Sequence, residues 1–178
     1  MSTAREYHPR YTIKDYNQWE GDWELWHGVA VSMSPSAFGA HASVHARLSA
    51  AIVSAIDDAG CNATVLTEID WIIANDTVVR PDLTVVCGGP PKGHVEEPPA
   101  VAVEIVSPSS KERDNIRKRA LFEAEGVAWY LIADPESKRV TALRLEDGSY
   151  SEVPADAPFT IDICDGCELT VDLTRVFR

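Results

Sequence analysis

Two acidic residues stand alone in apolar, β-branched stretches: Asp82 in Arg80-Pro81-Asp82-Leu83, and Glu104 in Val103-Glu104-Ile105-Val106-Ser107. A carboxylate on a strand interior is costly unless something pairs with it. Two of them on neighbouring strands suggest a shared partner, and a divalent cation is the natural candidate. Side chains alternate across a strand. Val79, Pro81, Leu83 and Val85 should therefore line one face, with Arg80, Asp82 and Thr84 on the other. Val101, Val103 and Ile105 likewise oppose Ala102, Glu104 and Val106, which puts both acids on the side away from the apolar sets. A hairpin centred near Gly93 sets Asp82 across from Glu104, with directly opposed Cβ atoms about 4.5–5.5 Å apart. Carboxylates that close repel, and one takes up a proton unless a cation lies between them. Spacing alone leaves two readings open: a metal ion, or structural pairing with Arg80 or another base.

Lys118 is the third group. Strand residues rise about 3.3 Å each, so Glu104 lies roughly 10 Å back from Ser107. Helix residues rise about 1.5 Å each, which puts Lys118 roughly 10–12 Å along the helix that follows. A helix folding back across the sheet brings Lys118 level with Glu104. Asp114 and Lys118 are four residues apart, with the acid on the preferred N-terminal side, and Phe122 continues their stripe. The alternative is an ordinary exposed helical ion pair.

These groups need a sheet and a returning helix to hold them. Residues 1–20 read as peripheral, with a short helix near Ile13 to Trp19. Trp23 to Trp26 and Val29 to Val31 flank His27-Gly28, a β-hairpin with glycine in its turn. From about Ala40 to Ala59, Val44, Leu48, Ala51, Ile52, Ala55 and Ile56 recur at helical spacing, and Gly60 closes the helix. Val65 to Ile73, Val78 to Val86 and Ala100 to Val106 read as strands, and the Pro/Gly-rich piece from Gly88 to Pro99 as a loop. A second helix runs from about Lys111 to Glu125, capped by Ser109 in a capping box and ended by Gly126. Ala128 to Ala133 is a buried strand, which Asp134-Pro135-Glu136-Ser137 turns into Arg139 to Leu145. Short strands follow around Tyr150, Phe159 to Ile161 and Leu169 to Val171. The order predicts a central mixed sheet with helices packed on it, in the α/β (α+β) class.

The 178 residues suit one domain, and 45% hydrophobic content makes it a folded one. No apolar run approaches the roughly 20 residues that span a bilayer. The first residues lack the apolar core of a signal peptide, so a cytoplasmic location is expected. Of four cysteines, only Cys164 and Cys167 have ligand-like spacing. One such pair lacks the second that a structural zinc site needs, and reduced, incidental thiols are the expectation. His41 and His45 form an HxxxH pair without a clear third ligand. The net charge of −12 argues against broad binding to a polyanion. It leaves room for a local basic groove from Lys111, Arg113, Arg117, Lys118 and Arg119, which otherwise form a solvated helix face.

Taken together, these residues resemble the Uma-two family of restriction endonuclease-like proteins, within the PD-(D/E)XK nuclease superfamily. The matching stretches are Trp23-Glu24-Leu25 with Gly28, Met33-Ser34-Pro35, His41, Arg80-Pro81-Asp82-Leu83 and Glu104 to Ser109. Asp114, Lys118, Gly126-Val127 and Trp129 to Pro135 complete the set, so the likeness spans about residues 23–135. The resemblance implies the restriction-endonuclease-like fold, with Asp82 and Glu104 binding Mg²⁺ or Mn²⁺. The superfamily's usual lysine position, two residues after the second acid, holds Val106. Lys118 is the implied replacement. Phe122 and Trp23 stand where the family often has tyrosine.

The implied reaction is hydrolysis of a phosphodiester, with DNA as the expected substrate. Asp82, Glu104 and the main-chain carbonyl of Ile105 are the expected metal ligands, and Lys118 would orient the nucleophile or stabilise developing charge. Glu24, His41 and Asp114 are supporting candidates. A homodimer would provide one site for each strand of a duplex. The rival class is a catalytically inactive nuclease fold kept for interaction, toward which the acidic charge leans.

Overall fold

Short β-branched runs punctuated by turn residues give this chain more strand than helix, and the strands divide into three sheets. The computed structural model describes residues 9–33, 39–107, 113–155 and 158–178, with backbone alone for 113–115. One sheet holds β1 (Trp23–Trp26), β2 (Val29–Ser32), β4 (Trp71–Ala74) and β5 (Thr77–Val79), in the order β2-β1-β5-β4. The central sheet holds β3 (Ala63–Thr67), β6 (Leu83–Cys87), β7 (Val101–Ile105), β8 (Trp129–Asp134), β9 (Arg139–Glu146) and β10 (Ser149–Val153). Its order is β10-β9-β8-β7-β6-β3, and β11 (Phe159–Ile163) pairs with β12 (Cys167–Val171) separately. Only β7 and β8 run parallel within the central sheet. A parallel pair needs a crossover, and that crossover carries a π-helical turn, Arg113–Lys118, running into α3 (Arg119–Ala124). Gly126, at φ +81°, ends it. The helices before it are α1 (Ile13–Tyr16) and α2 (Gly39–Ala59).

The two faces of the central sheet bury different sets. On one, Leu83, Val85, Val101, Val103 and Ile105 meet Val44, Leu48, Ile52 and Ile56 of α2. The inward residues of the β11–β12 hairpin (Phe159, Ile161, Ile163, Leu169 and Val171) close the same core. Each such aliphatic side chain contributes about 1.5–3 kcal/mol when fully buried. On the other face Ala102, Val106, Tyr130 and Ile132 pack with Trp71, Phe122, Val127 and Tyr150. Phe122 meets Tyr130 edge to face, centroids 5.0 Å apart.

The β1–β2 hairpin forms as its sequence predicts. His27 and Gly28 both adopt positive φ, +46° and +82°, the handedness a two-residue turn needs to follow strand twist. Two expected long strands are broken. Val65 to Ile73 splits into β3 and β4 at Glu68, whose φ is +49°. Val78 to Val86 splits into β5 and β6, in different sheets, with Arg80-Pro81-Asp82 as the step between them. Pro81 has no N–H to give a ladder, which favours a break there. The expected alternation from Val79 to Val85 fails at that step: Val79 joins the Trp71–Phe122 cluster, while Leu83 and Val85 face α2. The pairing register itself is as expected. Leu83 pairs Val103 and Val85 pairs Val101, and that register carried one residue further sets Asp82 across from Glu104.

The expectation of free thiols is corrected. Cys61 is bonded to Cys167 and Cys87 to Cys164, because the fold lays the Cys164–Cys167 turn on the ends of β3 and β6. The Ser109 cap lies outside the described residues. Among the described residues, no helix is long and apolar enough to cross a membrane.

Candidate active site

Glu24, Glu104 and Lys118 are almost wholly buried, at 0%, 4% and 1% exposure. Each comes from a different element: β1, β7 and the end of the π-helical turn. Lys118 Nζ lies 2.5 Å from Glu104 Oε1 and 3.0 Å from Glu24 Oε1. The Arg80 carbonyl accepts a further hydrogen bond from Nζ at 3.5 Å. Glu24 is held on both oxygens, since Oε1 accepts from the Arg80 N–H at 2.8 Å and Oε2 from Trp26 Nε1 at 3.1 Å. Removing such charges from water costs several kcal/mol per ion, which paired geometry only partly offsets. Their burial therefore marks a region shaped by something besides stability.

Asp82 stands beside this cluster with different partners. Its Oδ2 accepts from the Ile105 N–H at 2.6 Å, and its Oδ1 lies 3.4 Å from His41 Nε2. Burial pushes the Asp82 carboxyl up, but the His41 and Ile105 hydrogen bonds and the charges of His41 and Lys118 outweigh it. The carboxyl is held below its usual range and stays ionised. His45 sits one turn along α2, with Nε2 3.1 Å from the Asp82 carbonyl oxygen. The HxxxH pair thus braces the Asp82 segment. The two rings are parallel, 6.5 Å between centroids.

Arg80 has its side chain elsewhere. Its guanidinium donates to Asp70 at 2.7 Å, Asp22 at 3.0 Å and Tyr16 Oη at 3.5 Å. Tyr16 Oη itself donates to Asp70 at 3.1 Å. Burial and the Asp70 charge push the Tyr16 hydroxyl up to about 12. This cluster anchors the side chain of the residue whose N–H and C=O touch Glu24 and Lys118.

The fold therefore brings Asp82, Glu104, Lys118, Glu24, His41 and the Ile105 backbone to one place. The Asp114 side chain lies outside the described residues. Asp82 and Glu104 are neighbours in register yet divided in partners, and the cation between Glu24 and Glu104 is the Lys118 ammonium. Of the bases open to the acid pair, Arg80 sends its guanidinium to Asp70 and Asp22, and it is Lys118 that pairs with Glu104. Arg117 and Arg119 are exposed. Sequence reasoning gave Glu24 only a supporting place. Its signal was an acid inside Trp-Glu-Leu-Trp, the same pattern that marked Glu104. The bracing roles of Arg80, Trp26 and His45 carried no such signal.

Among the described residues, no three His, Cys, Asp or Glu side chains are grouped as a ready-made metal centre. The donor chemistry nonetheless suits a hard dication. Asp82, Glu104 and Glu24 offer carboxylate oxygens, and the Ile105 backbone adjoins Asp82 through its N–H, an oxygen-rich donor set of the kind that hard dications prefer.

No curated protein matches the chain. The cryo-electron microscopy structure of a DrdV–DNA complex aligns at 14% identity over 62% of this chain and 12% of that one, with a TM-score of 0.33. The crystal structure of "a putative nuclease belonging to DUF820" from Anabaena variabilis ATCC 29413 aligns at 16% identity over 93% of this chain and 97% of that one. Its TM-score of 0.72 shows a shared fold. The model of the Uma2 family, described as "Putative restriction endonuclease", matches residues 13–174. With nearly its whole length matched, and the fold that the resemblance implied, this chain belongs to the Uma2 family.

Proposed function

We propose that the chain is a metal-dependent endonuclease that hydrolyses phosphodiester bonds of DNA, acting in the cytoplasm. The observation that carries this reading is the buried Glu24–Lys118–Glu104 cluster beside an Asp82 held ionised. The family and the fold neighbour, both described as nuclease, support it. Asp82, Glu104 and the Ile105 carbonyl would hold a Mg²⁺ or Mn²⁺ ion, with Glu24 supporting the set through Lys118. When bound, such an ion acidifies water and offsets charge on phosphate. The chain's own residues do the rest. His41 and the Ile105 N–H hold the Asp82 carboxylate in one orientation. Glu24 and Glu104 keep the Lys118 ammonium at a fixed point, where it would offset charge developing on phosphate. Burial removes the water that would screen that charge. A homodimer would let two such sites cut both strands of a duplex.

One observation favours the rival reading of an inactive interaction module: Lys118 already satisfies Glu24 and Glu104 without a metal. A cleavage assay on plasmid and oligonucleotide DNA, with Mg²⁺ or Mn²⁺ and then EDTA, separates the two. The expected result is metal-dependent cleavage abolished by Asp82→Ala and by Glu104→Ala. Absence of cleavage with either metal, or cleavage that survives both substitutions, overturns the enzyme reading.

A further inference from the structure

The remaining chemistry-bearing cluster lies away from the acids, at the edge of the aliphatic core. All four cysteines of the chain meet there. Cys61 leads into β3 and Cys87 ends β6; Ala63 and Cys87 are ladder partners, so these two sulfurs come from adjoining strand ends. Cys164 and Cys167 bound the turn of the β11–β12 hairpin, where the Cys167 N–H donates to the Cys164 carbonyl at 3.3 Å. The bonds run across, from one pair to the other, with Cα separations of 5.9 and 5.4 Å. Two sulfurs from a tight turn and two from neighbouring strands are the makings of a tetrahedral four-sulfur site. The second pair that the sequence lacks is supplied by the fold.

We propose that this joint is a redox-governed zinc site, with two disulfides when oxidised and one Zn²⁺ held by Cys61, Cys87, Cys164 and Cys167 when reduced. Disulfide sulfurs are not ligands, so the oxidised joint offers no metal-ready group, whereas four free thiolates are ligands. On reduction the sulfurs of each pair must part to about 3.8 Å, their spacing on one tetrahedral zinc. Cys87 is exposed and the other three are half-buried, which gives a reductant and a metal a way in. Each disulfide takes two electrons and two protons from a dithiol, which closes to its own disulfide. Two equivalents free four thiols, and Zn²⁺ then displaces their protons to the buffer. In either state the β11–β12 hairpin stays fixed to the sheet. The proposal rests on the sulfur positions alone, so its failure and that of the nuclease reading are independent.

The test reduces the purified full chain anaerobically with dithiothreitol, adds Zn²⁺ or Co²⁺, desalts, and measures bound metal and alkylatable thiols by mass spectrometry. Expected are one zinc per chain, four protected thiols, and with Co²⁺ the intense thiolate-to-cobalt charge-transfer band, which the oxygen-rich site cannot give. Cys87→Ser and Cys164→Ser should each weaken that band, one of four thiolates being gone, and retain less metal through desalting. A folded, reduced protein with four reactive thiols and no retained zinc overturns the proposal. So does a chain whose disulfides resist the dithiol while it is folded. If reduction unfolds the chain, restoration of its circular dichroism by zinc supports the site, and failure to restore it overturns it.

Discussion

The two faces of the central sheet come from the same strands and bury opposite chemistry. Toward α2, β6 and β7 present Leu83, Val85, Val103 and Ile105 to a hydrophobic core built from α2 and the β11–β12 hairpin. Across β7, Ala102 and Val106 join the aromatic-rich core, and the buried Glu104 pairs with Lys118, which bridges to Glu24. A hydrophobic replacement of similar volume would often be neutral or favourable at such a buried ionic site. One face is therefore what stability alone would choose, and the other is a costly arrangement that the first face must support.

The sharpest way to break this contrast is Lys118→Met. It should lower the single-turnover rate of Mg²⁺-dependent DNA cleavage by about 10²–10³-fold. It should also cost about 3–5 kcal/mol in urea unfolding, because two buried acids lose their counterion. Unchanged cleavage would make the charged face structural. Leu169→Ala, in the aliphatic core, should cost a comparable ~2–5 kcal/mol while the cleavage rate per folded molecule stays the same. A slowed reaction in that variant would mean that the faces are not separable. Glu24→Gln keeps the side chain's shape and should cost about 1–3 kcal/mol. Combined with Lys118→Met, it should fall short of the sum by about 0.5–3 kcal/mol, which a double-mutant cycle reads.

The smallest effect concerns Tyr16. Its hydroxyl is raised from 10.0 to about 12 in the folded chain. A raised acid binds its proton more tightly when folded, so its stabilising contribution is whole below pH 10 and disappears as pH climbs to about 12. Tyr16→Phe should therefore lose the part of the stability decline between pH 10 and 12 that wild type shows, measured as the difference between the two pH–stability curves.

Much of this was legible in the sequence because it is local or periodic. The His27-Gly28 turn, the apolar stripe of α2 and the Asp82–Glu104 register follow from spacing, and the rise arithmetic brought Lys118 to Glu104. What escaped depends on contacts between distant segments. Nothing in the run from Val78 to Val86 announces that its halves enter different sheets; the break is decided by β5 pairing with β1 and β6 with β7. Glu24 could be seen as a misplaced acid, but not that Arg80 and Trp26 would fix both its oxygens. The cysteines were read by linear spacing, which hides Cys61 and Cys87 as partners because only tertiary structure brings them to the turn.

The step at Arg80-Pro81-Asp82 also bears on how the protein is made. Its backbone joins a side chain from residue 24 to one from residue 118, so the charged cluster closes only when both sheets and the crossover helix exist. Contacts of such long sequence separation form late, after local hairpins and helices. A ribosome-bound chain that has not yet released residue 118 carries the acids without their ammonium. The charged centre is thus assembled only after most of the chain has been synthesised.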